Sequence, residues 1–108
     1  MTTALLLIAA TTSSAAEGPC DILAAAGHQC VAAHSTVRAL YSQYAGPLYK
    51  VTRPNNASAN ISVLAPGGFA DVTAHERFCA KGDCVISNIF DQTPQANHWG
   101  QRISDGVV

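Results

Sequence analysis

Gly18-Pro19-Cys20-Asp21-Ile22-Leu23, followed after a short loop by Cys30-Val31-Ala32-Ala33-His34-Ser35-Thr36-Val37-Arg38-Ala39-Leu40-Tyr41, is the stretch that decides how this chain folds. Gly18-Pro19 stops whatever precedes it, and Cys20 and Cys30 bracket the first loop after the stop. Upstream, residues 1–16 carry no charged side chain, Ala4 to Ala10 is apolar, and Ser14-Ala15-Ala16 offers the small residues a signal peptidase reads. This predicts a signal peptide at 1–16 with cleavage near Ala16–Glu17, although the usual Lys or Arg of the n-region is missing. A buried Ala/Leu helix is the rival reading, and the Gly-Pro break argues against it. The run is also shorter than the ~20 residues of a membrane span. The expected compartment is extracellular.

The cysteine count agrees. Cys20, Cys30, Cys79 and Cys84 make an even set of four, which suits an oxidising compartment and allows three pairings. Two local loops, Cys20–Cys30 and Cys79–Cys84, are the simplest of these. A zinc site is the competing use, but zinc ligands come as pairs two to four residues apart, and Cys20 and Cys30 are too widely spaced. His28, His34 and His75 supply no H-x-x-x-H pair. The sequons Asn56-Ala57-Ser58 and Asn60-Ile61-Ser62 are candidate N-glycan acceptors at Asn56 and Asn60.

From Glu17 onward there is room for one small domain, whose modest core makes its bridges matter. The net charge is −1, and Arg38, Lys50, Arg53, Arg77, Lys81 and Arg102 are scattered. Without a basic stripe or charge block, neither nucleic acid nor a membrane surface is an expected partner.

Local patterns give a coarse map. Asp21 is expected to N-cap a short helix that ends at Gly27. Val31 to Tyr41 reads as extended, and Ala45-Gly46-Pro47 as a turn. Leu48 to Arg53 alternates, with Tyr49 and Val51 on one face and Lys50 and Thr52 on the other. Asn60 to Leu64 is a second strand, with Ile61 and Val63 facing inward. Thr73-Ala74-His75-Glu76 has the form of a capping box for a helix reaching about Ala80. Cys84 to Phe90 reads as a buried strand. Short strands between Gly/Pro turns point to a β-sandwich.

A search for chemistry finds little. Hydrolysis by a carboxylate pair needs two carboxyl groups close together, about 5–5.5 Å apart where one acts as nucleophile. Here Glu17 sits at the predicted mature N-terminus, Glu76 and Asp21 have capping roles, and Asp71 and Asp83 sit in turns. Asp91 ends the last apolar strand, where a turn residue is the commoner use. No catalytic residue is assigned. His34 and Ser35 are neighbours on an extended segment and point to opposite faces, so His34 is not placed to activate Ser35. His98-Trp99 could form a sugar-stacking platform, but a hydrophobic plug at the end of a small core is the preferred reading for a single Trp. No cofactor or metal is called for.

The wording of the chain carries more. GPCDI at 18–22, CVAAHST at 30–36 and RALY at 38–41 resemble the start of the catalytic domain of fungal α-L-arabinofuranosidase B enzymes, glycoside hydrolase family 54. Gly46-Pro47-Leu48-Tyr49, Ile61-Ser62-Val63-Leu64, Gly67-Gly68-Phe69-Ala70-Asp71, Phe78-Cys79-Ala80, Cys84-Val85-Ile86 and Ile89-Phe90-Asp91-Gln92 are similar to further segments of that family, in register. Asn97-His98 resembles the end of its DQSGNGNHL turn, although this chain lacks both glycines there.

The resemblance implies a mainly β fold, an incomplete concanavalin-like β-sandwich (jelly roll) with short helices, stapled by Cys20–Cys30 and Cys79–Cys84. It implies a secreted enzyme that releases terminal α-L-arabinofuranosyl residues from arabinoxylan and arabinan with retention. The partner, reached through the full-length enzyme, would be an arabinose-containing plant polysaccharide. The family's catalytic Glu and Asp lie beyond residue 108, so the expected organisation is a signal peptide at 1–16, the N-terminal portion of the catalytic domain at 17–98, and a divergent tail at 99–108. A truncated coding frame, inactive alone, is the plain expectation. A small secreted disulfide-rich binding or effector module without catalysis is the alternative.

Overall fold

The computed structural model describes residues 17–80 and 82–100. The expected signal peptide at 1–16 and residues 101–108 of the expected tail lie outside the described residues. The elements run α1 (Pro19–Ala25), β1 (Pro47–Thr52), β2 (Ser58–Ser62), α2 (Val72–Phe78), β3 (Val85–Ile89) and β4 (Trp99–Gly100). The strands form one antiparallel sheet in the order β2-β1-β3-β4. The fold is mainly β with two short helices.

β1 is the organising strand. Val51 and Leu48 are fully buried, and Tyr49 nearly so. Strict alternation would expose Leu48 if Tyr49 faces the core. A register shift between Pro47 and Tyr49 against β2 breaks that alternation, so consecutive residues can both be inside. Pro47 is tolerated because it is the first residue of the strand. The β1–β2 turn closes through Arg53 N–H donating to Ala57 O at 2.8 Å, with Asn56 in the left-handed region at φ 72. Asn is one of the few non-glycine residues that tolerate this region.

β2 contributes Ile61, which is buried. Its chain continues to Val63, which bridges to Ala70 across the Pro66-Gly67-Gly68 turn. α2 then lies over the core, with Ala74 and Phe78 packed against it. Its N-cap is Asp71, not Thr73: the Asp71 carboxylate accepts from Ala74 N–H at 3.1 Å. The chain is still held outside the helix at Asp71, whose N–H donates to Ser62 O at 2.9 Å. The helix therefore starts one residue after it.

α1 corrects its expectation in the same way. Gly18 is the N-cap, and Asp21 sits three residues in, accepting from Gly18 N–H at 2.8 Å. A side chain at residue 18 would collide with the Leu40 carbonyl, which is held there by Cys20 N–H at 3.0 Å. Glycine at 18 is thus required by close backbone approach.

Two expectations about strands change. Val31 to Tyr41 is a strap rather than a strand, with one bridge from Arg38 to Phe69. Much of its backbone bonding goes to side chains, as described below. β3 is not buried: Val85 and Ile86 are 60% and 44% exposed, because α2 covers the β1–β2 half of the sheet and nothing described covers this end. All four cysteines are bridged, Cys20–Cys30 and Cys79–Cys84, with Cα–Cα distances of 5.7 and 5.8 Å.

Candidate functional site

The densest polar site lies just past β3. Asp91, Gln92 and Thr93 are each about 5% exposed, which is unusual for such residues. Asp91 Oδ1 accepts from Ala33 N–H at 2.9 Å, Thr93 N–H at 3.0 Å and the Thr93 hydroxyl at 2.9 Å. Asp91 Oδ2 accepts from Asn97 N–H at 2.9 Å. Burial pushes the Asp91 pKa up, but the hydrogen bonds from Thr93, Ala33 and Asn97 outweigh it and hold the carboxyl far below the usual carboxylate range. A carboxylate with both oxygens saturated by local donors is neither a free nucleophile nor a proton donor at neutral pH. Asp91 is a structural anchor.

Gln92 extends the anchor. Its Oε1 accepts from Leu40 N–H at 2.7 Å, its Nε2 donates to Arg38 O at 3.3 Å, and its N–H donates to Ala33 O at 2.8 Å. Residue 92 therefore does for the strap what a neighbouring strand would do. Nothing in the residue type foretold this, since a Gln in a polar turn reads as solvent-facing. Asp21 ties the other end of the strap, accepting from Ser42 N–H at 2.6 Å.

The remaining residues considered from the sequence fall in scattered places. His34 Nε2 lies 2.9 Å from Asn97 O, whereas the Ser35 hydroxyl accepts from Val37 and Arg38 N–H; they do not meet. His98 Nδ1 accepts from Asp91 N–H at 3.0 Å, and its ring meets Phe90 edge-on at 5.2 Å. Trp99 is 65% exposed on β4, not a plug: it lies on a two-residue edge strand with no described layer above it. Glu17 and Glu76 are exposed, and Asp83 occupies a turn at φ 51. Asn56 and Asn60 are both exposed. Among the described residues, no group of three His, Cys, Asp or Glu could hold a metal ion, and no helix is long and apolar enough to cross a membrane.

Beside the anchor lies an open cleft of about 480 Å³. Its buried floor is Gln92 and Thr93, its wall includes Tyr41, Tyr44 and Cys30, and Gln29, Gln43 and Gln95 stand at its rim. The Tyr44 hydroxyl donates to Pro47 O at 2.6 Å; burial, and then the Asp91 charge, raise its pKa. A second, smaller hollow lies at the far end, where the Arg53 guanidinium sits 3.9 Å above the Phe78 ring and its Nε–H donates to Phe78 O.

Comparison with known proteins gives a consistent picture. The profile described as alpha-L-arabinofuranosidase B, catalytic, matches residues 19–107. The chain is 50% identical over 92 residues to a probable alpha-L-arabinofuranosidase B of Aspergillus terreus, covering 84% of this chain and 18% of the relative. It is 46% identical over 103 residues to the alpha-L-arabinofuranosidase B of Emericella nidulans, covering 94% and 20%. Among solved structures, a crystal structure of an arabinofuranosidase complexed with arabinofuranosyl-alpha-1,2-xylobiose is similar with a TM-score of 0.75 and 48% identity, covering 78% of this chain and 18% of that one. The chain spans about a fifth of the length of the curated relatives it matches.

Proposed function

The chain belongs to the α-L-arabinofuranosidase B catalytic family, and from that premise we propose that it is the opening portion of a secreted enzyme that hydrolyses terminal α-L-arabinofuranosyl residues of arabinoxylan and arabinan. The observation that carries this reading is identity near 50% sustained over most of the chain, together with backbone agreement at a TM-score of 0.75. Its part in the reaction is scaffolding. Asp21, Asp71 and Asp91 each accept from backbone amides, and the apolar end of β3 is exposed. Export is supported by the apolar N-terminus and by two bridges that need an oxidising compartment. Exposure of Asn56 and Asn60 supports N-glycan attachment there.

The test is release of arabinose from an aryl α-L-arabinofuranoside. The chain by itself should give no turnover, whereas a polypeptide in which it is continued by the rest of a family catalytic domain should release arabinose. Turnover by the chain alone, abolished by Glu76→Gln or Asp91→Asn, would move the chemistry into these residues and sink the scaffold reading. N-terminal sequencing of exported material should begin near Glu17; retention of Met1 would refute cleavage.

A further inference from the structure

We propose that the cleft between α1, the Tyr41–Tyr44 segment and the Thr93–Gln95 turn binds the ammonium group of a primary alkylamine. Asp21, which lines the cleft, supplies the charge. Both hydrogen bonds to its carboxylate, from Gly18 N–H at 2.8 Å and Ser42 N–H at 2.6 Å, fall on Oδ2. Among the described residues nothing donates to Oδ1, so a charged oxygen is left to an incoming donor. No described Lys, Arg or His shares the lining. Arg38, the cation of the strap, is engaged elsewhere: its Nε–H donates to Ala39 O at 2.7 Å, and its guanidinium carbon lies 5.7 Å from the centre of the Phe69 ring. A second negative charge acts from the floor side, since burial and then the Asp91 carboxylate raise the Tyr44 pKa. The cleft thus repels an anion and attracts a cation.

The remaining lining favours an organic cation over a metal ion. Among the described residues no group of three His, Cys, Asp or Glu could hold a metal. A primary ammonium carries three donors and no acceptor. Asp21 Oδ1 accepts one, and the side-chain carbonyls of Gln43 and Gln95, which make no hydrogen bond among the described residues, stand at the rim for the others. The half-buried rings of Tyr41 and Tyr44 suit both parts of the ligand. An aromatic face attracts a cation within about 6 Å, and it offers apolar surface to an alkyl chain. These groups are fixed before any ligand arrives. The two backbone amides orient the Asp21 carboxylate, Cys30 in the wall is bridged to Cys20, and the Tyr44 hydroxyl is held on Pro47 O. A site that loses little freedom on binding keeps more of its contact energy as affinity. Ammonium recognition at Asp21 does not depend on the proposed hydrolytic role.

The experiment titrates the full chain, oxidised and at constant ionic strength, with n-butylammonium chloride, n-butanol, sodium butyrate and calcium chloride, followed by amide chemical shifts. The first three ligands are short alkyl chains that differ in charge. Saturable shifts centred on residues 21, 29–30, 41–44 and 92–95 are expected with n-butylammonium alone, at a dissociation constant on the order of 1–10 mM for so small a ligand. Asp21→Asn keeps an acceptor oxygen for the Gly18 and Ser42 amides while removing the charge, and should weaken binding about tenfold. Tyr41→Leu keeps apolar bulk while removing the ring, and should weaken it about threefold. Amide shifts unchanged outside the cleft show that each variant is folded. N-acetyl-lysine methylamide identifies the source of the ammonium: tighter binding than n-butylammonium assigns the site to a lysine side chain of a polypeptide partner, and weaker binding assigns it to a free amine. Equal shifts with n-butanol, saturable shifts with butyrate or calcium, no saturation by n-butylammonium, or affinity unmoved by Asp21→Asn would overturn the proposal.

Discussion

The two ends of β1 are stabilised by opposite means. Around Val51 and Ile61 the structure is an ordinary sheet core, in which backbone ladders pair β1 with β2 and β3 and apolar side chains meet α2. Around Asp91 there is little apolar burial, and a strap of roughly ten residues is held by the carboxylate of Asp91 and the side-chain amide of Gln92, reaching across more than fifty positions of sequence. The first kind of region is robust to any one contact, because burial is spread over many atoms. The second concentrates its stability in few groups, because a buried donor left without its acceptor costs its full desolvation. The contrast teaches that in so small a domain a polar knot can substitute for a missing strand.

The sharpest way to break the comparison is Asp91→Ala, which strands the Ala33, Thr93 and Asn97 amides at once. We expect a loss of about 3 kcal/mol or more, read as a drop in urea midpoint with the strap amides of 33–40 losing exchange protection first. Asp91→Asn, which keeps one acceptor oxygen, should cost less. If Asp91→Ala leaves the midpoint unmoved, the knot is ornamental. Ile61→Ala tests the other region: a cavity in the sheet core should cost about 2–4 kcal/mol, with protection lost throughout the sheet and no preference for the strap.

Removing the Cys79–Cys84 bridge by a double change to Ser comes next. Its short loop predicts a loss of about 2 kcal/mol. The effect should fall on α2 and β3, leaving the knot unchanged; an equal loss of protection at 33–40 would contradict the separation of the two ends.

Acid separates the regions without mutation. The folded Asp91 pKa lies below its unfolded value of about 3.9. Between the two values the unfolded chain binds more protons, so stability rises with pH in that window. The contribution is complete above the unfolded value and is lost as pH falls through the folded one. Urea midpoints should therefore be flat from neutral pH to about 5 and decline below about 4, and Asp91→Asn should flatten that acid limb. An unchanged limb would show that other carboxylates carry it.

The smallest expected effect sharpens the comparison from the stabilising side. Ala96 lies in the left-handed region at φ 58, at a place where the resembling family turn has a glycine. A Cβ there costs roughly 1–2 kcal/mol, so Ala96→Gly should stabilise the knot by about 1 kcal/mol after the added freedom of the unfolded chain is counted. A lower midpoint in Ala96→Gly would show that the turn relaxes around alanine.

Much of this was legible in the residues. The apolar alternation of 48–53, the Pro-Gly-Gly break and the pair of local cysteine loops are short-range signals, and the elements they mark are present. The caps at Gly18 and Asp71 slipped by a few residues because Asp and Thr both carry capping chemistry, and only the incoming backbone, held by Leu40 at one site and Ser62 at the other, selects among them. The buried Leu48 needed a register shift that no periodicity announces.

What the amino-acid sequence determined by itself was therefore the set of local commitments: where strands and helices could start, which cysteines could meet, and through GPCDI and CVAAHST the family. Tertiary structure alone decided that Asp91 is an anchor, that Gln92 serves as a surrogate strand neighbour, that Trp99 faces outward and that a cleft forms beside Tyr41. The reason is physical. Local order follows from steric and hydrogen-bonding preferences of adjacent residues, whereas the role of a polar side chain depends on which distant amides are brought within about 3 Å of it, and that distance does not exist until the chain has folded.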